Sequence, residues 1–404
     1  MSADRRRAKG GRPEVWLLRL AETWLLVCVV FLVANLVVSS LLSMRPKSDD
    51  RGPGPITRYG MPMLMTPGIY EGYSEDEVRD LLVETYLGVT LEPFTMFRET
   101  ARTGRYVNVS DDGYRVIEGQ RPWPPAQEVT NVFVFGGSTT FGYGIADSET
   151  VPSRLQAALL RRTSGTDLAV YHFGRGYYYS TQERILFEQL LTGGVDIDVA
   201  LFIDGANEKD SADVPSLFYE LVEARHQAAR RLDPWESAKA AVARSPLGRA
   251  AVRVKRRLRA EEPSVEAEPS EAEARMAGRG AFHRYMRNRE LLHAAGEASG
   301  TQVIFVWQPV HWLDFDAAHH PFGGLDPESH FMQRYLYEDM RRYIADTQAP
   351  DMLDLSWLSR DAYRPLYVDQ VHYNAYFSAQ LAEHIAEWLA PRFRADRAEG
   401  HGPH

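Results

Sequence analysis

The chain has 404 residues, 46 Lys and Arg against 55 Asp and Glu, and a formal net charge of −9 at pH 7. That length allows two or three domains or one enlarged α/β unit, with a core large enough to need no staples. A single Cys excludes a disulfide framework and a zinc site built on paired thiolates, and the mildly acidic balance argues against a dedicated nucleic-acid binder.

The first element is apolar. Residues 23–42 carry no charge, and Asn35 is their only strongly polar member. A helix of that length spans about 30 Å, the thickness of a hydrocarbon core. Trp16 and Trp24 fall near an interface. The preceding flank holds Arg5, Arg6, Arg7, Lys9, Arg12 and Arg19, which outnumber its acids, while the following flank is nearly balanced. The positive-inside rule then puts residues 1–22 in the cytoplasm as a basic tail and residues 44–404 outside. An uncleaved anchor over 23–43 is favoured over a signal peptide, because the apolar run is long and no A-x-A site follows it. Cys28 lies in this segment, so the outer part has no thiol.

Residues 44–60 are polar and rich in Pro and Gly, which predicts a tether. Residues 61–128 read as an N-terminal elaboration, with a short helix over 75–88 and a hairpin over 105–116 turning at Asp111-Asp112-Gly113. From there an α/β rhythm runs over 129–391. Strands are predicted at 131–136, 168–173, 195–203 and 301–307, and helices at 150–163, 181–192, 331–346 and 375–388, the last ending before Pro391. Strands alternating with helices imply a three-layer α/β/α sandwich on a mainly parallel sheet. Residues 210–300 read as an insertion. It looks helical over 212–249, then carries a basic block at 253–259 and an acidic run at 261–275, read as a solvated loop. These charge blocks are a candidate surface for envelope protein partners. Residues 392–404 read as a flexible tail.

Four separated pieces carry chemistry. Gly136-Gly137-Ser138-Thr139 follows the first strand directly, placing a hydroxyl where a parallel sheet opens to solvent. It lacks the Lys of a P-loop and the spacing of a dinucleotide fingerprint. Tyr171 to Tyr177, with Ser180 to Glu183, ends the second strand, and Gly205-Ala206-Asn207-Glu208 ends the third. Asp369-Gln370-Val371-His372 precedes the last helix, where a carboxylate three residues before a His can hold one ring nitrogen and leave the other facing outward.

Together these pieces resemble the conserved blocks of the SGNH hydrolases, the GDSL-like esterase/lipase superfamily, in its membrane-anchored bacterial form. The resemblance covers about 131–390, interrupted by the insertion. It implies an SGNH, flavodoxin-like sandwich with Ser138 as nucleophile and Asp369 and His372 completing a triad. Ser138, Asn207 and a glycine of the second block would form the oxyanion hole. Two departures stand out: Gly137 replaces the usual Asp before the Ser, and the second block has His172 at its Asn position. With Gln182-Glu183 setting the register, Tyr177 stands at the Gly position; Gly176 is the nearest glycine, Gly174 another, and a Tyr N–H can also serve.

Trp307, His311 and Trp312, after the fourth strand, are candidate pocket-lining residues for a sugar ring or acyl chain. The resemblance implies a serine ester hydrolase acting on O-acyl groups, O-acetyl above all, of cell-envelope glycans, or on small acyl esters. An O-acetyltransferase would use the same acyl-serine. No cofactor, metal or nucleic acid is called for. Two other classes compete: a catalytically silent glycan-binding scaffold, and an assembly protein acting through the charged insertion.

Overall fold

The structure is a computed structural model that describes residues 13–43, 54–163, 166–208, 270–322 and 331–398, with isolated residues between 218 and 248. Helix α1 (Pro13–Ser43) belongs to a unit separate from the α/β unit, which comprises Arg51–Val222 and Ala267–His404. Its segment Trp16–Ser40 has a mean hydropathy of 2.3 and is, among the described residues, the one helix long and apolar enough to cross a membrane. Thr23 Oγ1 donates to Arg19 O and Asn35 Nδ2 to Phe31 O, both at 2.8 Å. These two polar side chains are thus satisfied by the helix itself, as an apolar solvent requires.

The α/β unit opens with α2 (Gly54–Tyr59), α3 (Met61–Leu64) and α4 (Glu75–Thr85). Helix α4 starts on a capping box in which Ser74 and Glu77 satisfy each other's backbone N–H. An antiparallel hairpin follows, β1 (Val89–Glu92) and β2 (Met96–Glu99). Then come β3 (Thr130–Gly136), the single turn α5 (Ser138–Phe141), α6 (Val151–Arg162), β4 (Leu168–Gly174), α7 (Ser180–Thr192) and β5 (Val199–Asp204). The chain continues through α8 (Glu271–Ser299), β6 (Gln302–Trp307), α9 (Phe331–Thr347), β7 (Met352–Asp354) and α10 (Ala375–Ala398).

Strands β3 to β7 form one parallel sheet in the order β4-β3-β5-β6-β7. Period-2 alternation sorts its faces by chemistry. Val132, Val134, Val170, Leu201, Ile203, Ile304 and Val306 pack with Leu155 and Leu159 of α6 and Ile385 and Leu389 of α10. Phe133, Phe135, Tyr171, Phe173, Phe202, Phe305 and Trp307 point the other way, against α7, α8 and α9. The result is an α/β/α sandwich with an aliphatic and an aromatic face. Its order is that of the doubly wound fold whose ligand crevice lies between the first and third strands. Here that crevice lies beyond the ends of β3 and β5.

Several boundaries differ from the sequence reading. Gly54–Tyr59, placed in the tether, is helical, and Arg58 Nη2 donates to Gln370 Oε1 at 2.6 Å. The segment 105–116 makes only isolated bridges, one of them joining Arg115 to His172 at the edge of β4. Residues 195–198 precede the third sheet strand rather than beginning it. The last part of the assigned insertion is not an insertion: α8 packs on the sheet, burying Ala274, Ala281, Tyr285 and Leu292. The basic block 253–259, the acidic run up to 269 and most of 212–249 lie outside the described residues. Helix α10 does not end before Pro391 but continues to Ala398, into the assigned tail. Pro391 sits on the exposed side, where water can take the carbonyl that its missing N–H leaves.

Candidate active site

Four strand ends deliver the candidate groups to one edge of the sheet. Ser138 follows β3, the 175–179 turn follows β4, Asn207 follows β5, and Gln308 follows β6. Gly137 N-caps the turn that begins at Ser138. A β-carbon on Gly137 would come within 2.5 Å of Asn207 Nδ2 and 3.1 Å of Tyr178 O. An Asp there would displace the amide from this position. The same contact puts the Asn207 amide one residue from Ser138. Asn207 Nδ2 gives one proton to Tyr178 O at 2.8 Å, leaving the other for a ligand.

Asp369 and His372 form a tight pair. His372 Nδ1 lies 2.7 Å from Asp369 Oδ2, and the N–H groups of Val371 and His372 both donate to Asp369 Oδ1 at 2.9 Å. Tyr86 OH donates to Oδ2 at 3.4 Å. Burial pushes the Asp369 carboxyl up, but the His372 charge, the His372 side-chain and backbone bonds and the Val371 N–H outweigh it and hold it below the ordinary range. An ionised Asp369 fixes the proton on Nδ1 and leaves Nε2 as the unprotonated ring nitrogen.

Two bridges join this pair to Ser138. Ser138 O accepts from the N–H groups of Gly142 at 3.0 Å and Tyr143 at 3.3 Å, and the Tyr143 ring stacks on His372 with centroids 5.3 Å apart and planes at 26°. Gln308 Oε1 accepts from Thr139 Oγ1 at 2.7 Å and from Tyr373 OH at 2.9 Å, so one buried amide clamps the residue after Ser138 to the residue after His372. Gly144 permits the close approach: its φ is +83°, and a β-carbon would meet Val368 Cγ2 at 2.8 Å. No direct hydrogen bond joins Ser138 to His372, a contact that in unliganded sites often tightens only with substrate.

The second block departs from the sequence reading. The Gly176 N–H donates to the buried Glu99 Oε1 at 2.7 Å and is therefore engaged. Tyr177 has φ +63°, the conformation a glycine at that position would supply, and none of the hydrogen bonds among the described residues uses its N–H. His172 is fully buried; burial, then the Arg115 charge, drives its pKa well below the usual imidazole value.

The candidate pocket residues also separate. Trp307 is fully buried between Tyr285 and Tyr337, so it is core rather than pocket wall. His311 is buried among Trp312, His320 and Tyr367, and Trp312 is half-buried. Sequence reasoning missed Glu99, Tyr143 and Gln308, whose side chains make their contacts with segments distant in the chain. It also missed a group of buried carboxyls. Asp204 is pushed up to about 7 by burial, against a hydrogen bond from Tyr285 OH at 3.1 Å; burial raises Glu208 and, aided by Asp204, raises Glu183 further. Among the described residues no group of three His, Cys, Asp or Glu is placed to hold a metal ion.

No protein-family model and no curated protein matches the chain. Solved structures do. A carbohydrate acetylesterase from Sinorhizobium meliloti is 13% identical, over 65% of this chain and 99% of that one, with a TM-score of 0.34. The aryl esterase of M. smegmatis is 11% identical over 66% and 99%, with a TM-score of 0.35. A lipase/acylhydrolase from Enterococcus faecalis is 14% identical over 65% and 97%, with a TM-score of 0.34. At such values the functional reading rests on the site geometry.

Proposed function

We propose that the chain is a serine ester hydrolase of the SGNH type that removes O-acyl groups, O-acetyl above all, from cell-envelope glycans. The observation that carries this reading is the Asp369–His372 pair at 2.7 Å, bridged through Tyr143 and Gln308 to a Ser138 that opens a helical turn at the end of a parallel strand.

His372 Nε2 takes the Ser138 proton as Oγ attacks the ester carbonyl. The proton already on Nδ1 stays with the imidazolium, which Asp369 stabilises. The Ser138 N–H, the free Asn207 amide proton and the Tyr177 N–H receive the oxyanion; losing one such donor costs about 2.7–4 kcal/mol in the barrier. His372 then protonates the leaving alcohol. Water resolves the acyl-serine with His372 as base; a sugar hydroxyl arriving instead makes the same site an O-acetyltransferase. The apolar length of α1 and its basic flank support a single-pass anchor in the plasma membrane, N-terminus cytoplasmic and α/β unit outside.

The test uses the full chain in detergent micelles. A fluorophosphonate should label the wild type and not Ser138→Ala, and p-nitrophenyl acetate turnover should vanish with the label. Equal labelling and turnover in both proteins would remove Ser138 as nucleophile. Acetylated glycan with and without a second sugar acceptor separates hydrolysis from transfer.

A further inference from the structure

The β1–β2 hairpin lies outside the four blocks, yet it grips the site. Glu99, at the end of β2, is 4% exposed, and its Oε1 accepts two hydrogen bonds: Gly176 N–H at 2.7 Å and Tyr143 OH at 3.0 Å. Gly176 precedes Tyr177, whose N–H enters no hydrogen bond among the described residues, and Tyr143 stacks on His372. A single carboxylate oxygen therefore touches both arms of the site.

The turn it grips is strained. Tyr177 has φ +63°, a region that costs an L-residue with a β-carbon roughly 1–2 kcal/mol and persists only when its surroundings overdetermine it. Those surroundings are the hairpin. Arg175 Nη1 meets Glu92 Oε2 at 3.1 Å, Tyr178 OH donates to Phe97 O at 2.8 Å, and Gln182 Nε2 donates to Thr95 O at 3.2 Å. Gly176 leaves no slack: a β-carbon there would come within 2.7 Å of Tyr143 Oη and 3.1 Å of Glu99 Oε1.

We propose that Glu99 and Tyr143 are positioning residues, Glu99 holding the turn that presents the Tyr177 N–H and, through Tyr143, the plane of the His372 ring. The inference rests on the serine esterase reading and deepens it by making the N-terminal elaboration part of the catalytic apparatus. Neither residue touches the reacting atoms. Arg102 and Arg175 are the charged groups that act on Glu99, and Asp369, itself hydrogen-bonded by Tyr86, is the one paired with His372.

The test compares Glu99→Ala, Glu99→Gln, Tyr143→Phe and the Glu99→Ala/Tyr143→Phe pair in the detergent-solubilised full chain. Misplacing a catalytic group by an ångström costs on the order of 100-fold, so Glu99→Ala should lose about that in kcat with KM changed less than about threefold. Glu99→Gln, which keeps an acceptor oxygen, should recover to within about tenfold of wild type. The double variant should be no worse than Glu99→Ala, because both changes break one connection. Imidazole NMR gives a readout independent of turnover: release of Tyr143 should move the His372 ring resonances in Glu99→Ala, and in Tyr143→Phe to a smaller extent. Folded Glu99→Ala and Tyr143→Phe proteins with wild-type His372 resonances would overturn the inference. Should Glu99→Ala fail to fold, unchanged resonances in Tyr143→Phe together with its full kcat would overturn it equally. Absence of fluorophosphonate labelling in the wild type would instead overturn the esterase reading, with the resonances still deciding this one.

Discussion

Replacing Gln308 with leucine keeps the side-chain volume and removes one buried acceptor. Gln308 is 2% exposed, and its Oε1 takes the protons of Thr139 Oγ1 at 2.7 Å and Tyr373 OH at 2.9 Å. The two losses are unequal. Tyr373 OH also reaches Pro309 O at 2.6 Å and keeps a partner, whereas the Thr139 hydroxyl, in a residue 4% exposed, loses the acceptor it had. A lost hydrogen bond is worth about 1 kcal/mol, and a buried hydroxyl left unsatisfied costs about 1–3 kcal/mol, so Gln308→Leu should destabilise by about 2–4 kcal/mol. Thr139→Val removes the orphaned donor itself and should cost about 1 kcal/mol alone. Added to Gln308→Leu it should recover about 1–3 kcal/mol by removing the orphan, a coupling of about 2–4 kcal/mol. Because the clamp joins the neighbours of Ser138 and His372, kcat should fall about 10–100-fold in Gln308→Leu. Equilibrium denaturation of the micelle-embedded full chain and ester turnover measure both. Strict additivity of the two changes, with Gln308→Leu at wild-type stability and turnover, would refute the clamp.

Asp369→Asn should leave the fold intact and lower kcat by about 10³–10⁴-fold, since a neutral amide no longer fixes the Nδ1 proton or stabilises the imidazolium. The Asp369 carboxyl is held below its ordinary value, so its contribution to stability is present above the unfolded value of 3.8 and is lost as pH falls through the folded one. Titrating wild type and variant below pH 4 checks the sign, the variant lacking that part of the acid loss. Asp204 behaves oppositely: its folded value of about 7 lies above 3.8, so its contribution is complete below 3.8 and is lost as pH rises through about 7. Asp204→Asn should flatten the stability profile between pH 4 and 7; an unchanged profile would show that Asp204 is ionised in the fold. Arg115, 1% exposed, donates to Asp147 Oδ1 at 2.8 Å and to the carbonyls of Phe141, Gly142 and Ile145 at 2.6–2.8 Å. Arg115→Met should cost about 3–5 kcal/mol by leaving a half-buried carboxylate and three buried carbonyls short of donors, and a thermal unfolding scan would show it.

Local pattern carried much of this protein into view. The apolar run of α1, the continuous apolar runs of β3 to β6 and the 3.6-residue stripes of α6, α7 and α9 depend only on neighbouring residues, because burial on both faces is written as a run and burial on one face at fixed spacing. The Asp369–His372 pair was legible for the same reason, its two side chains being three residues apart. Helix α8 had a local signal too, the Ser270–Glu273 capping box, obscured by the acidic composition around it. Other features have no local signature. The β1–β2 hairpin turns through Pro93-Phe94-Thr95 with φ +68° at Phe94, against ordinary turn chemistry, and the distant Gln182 amide holds Thr95 O there. Which N–H of the second block stays free was likewise undecidable from spacing. Gly176 is the residue a sequence favours, but Glu99, 77 positions away, occupies its N–H and leaves that of Tyr177. Trp307 ends a strand at the edge that carries the candidate site, and only the sheet's pleat decides that its side chain turns into the aromatic face. Sequence alone therefore determined most of the elements and named the candidate side chains, whose causes are short-range. Tertiary structure decided which backbone groups remain available, because a hydrogen bond between distant segments exists only once the chain has closed on itself.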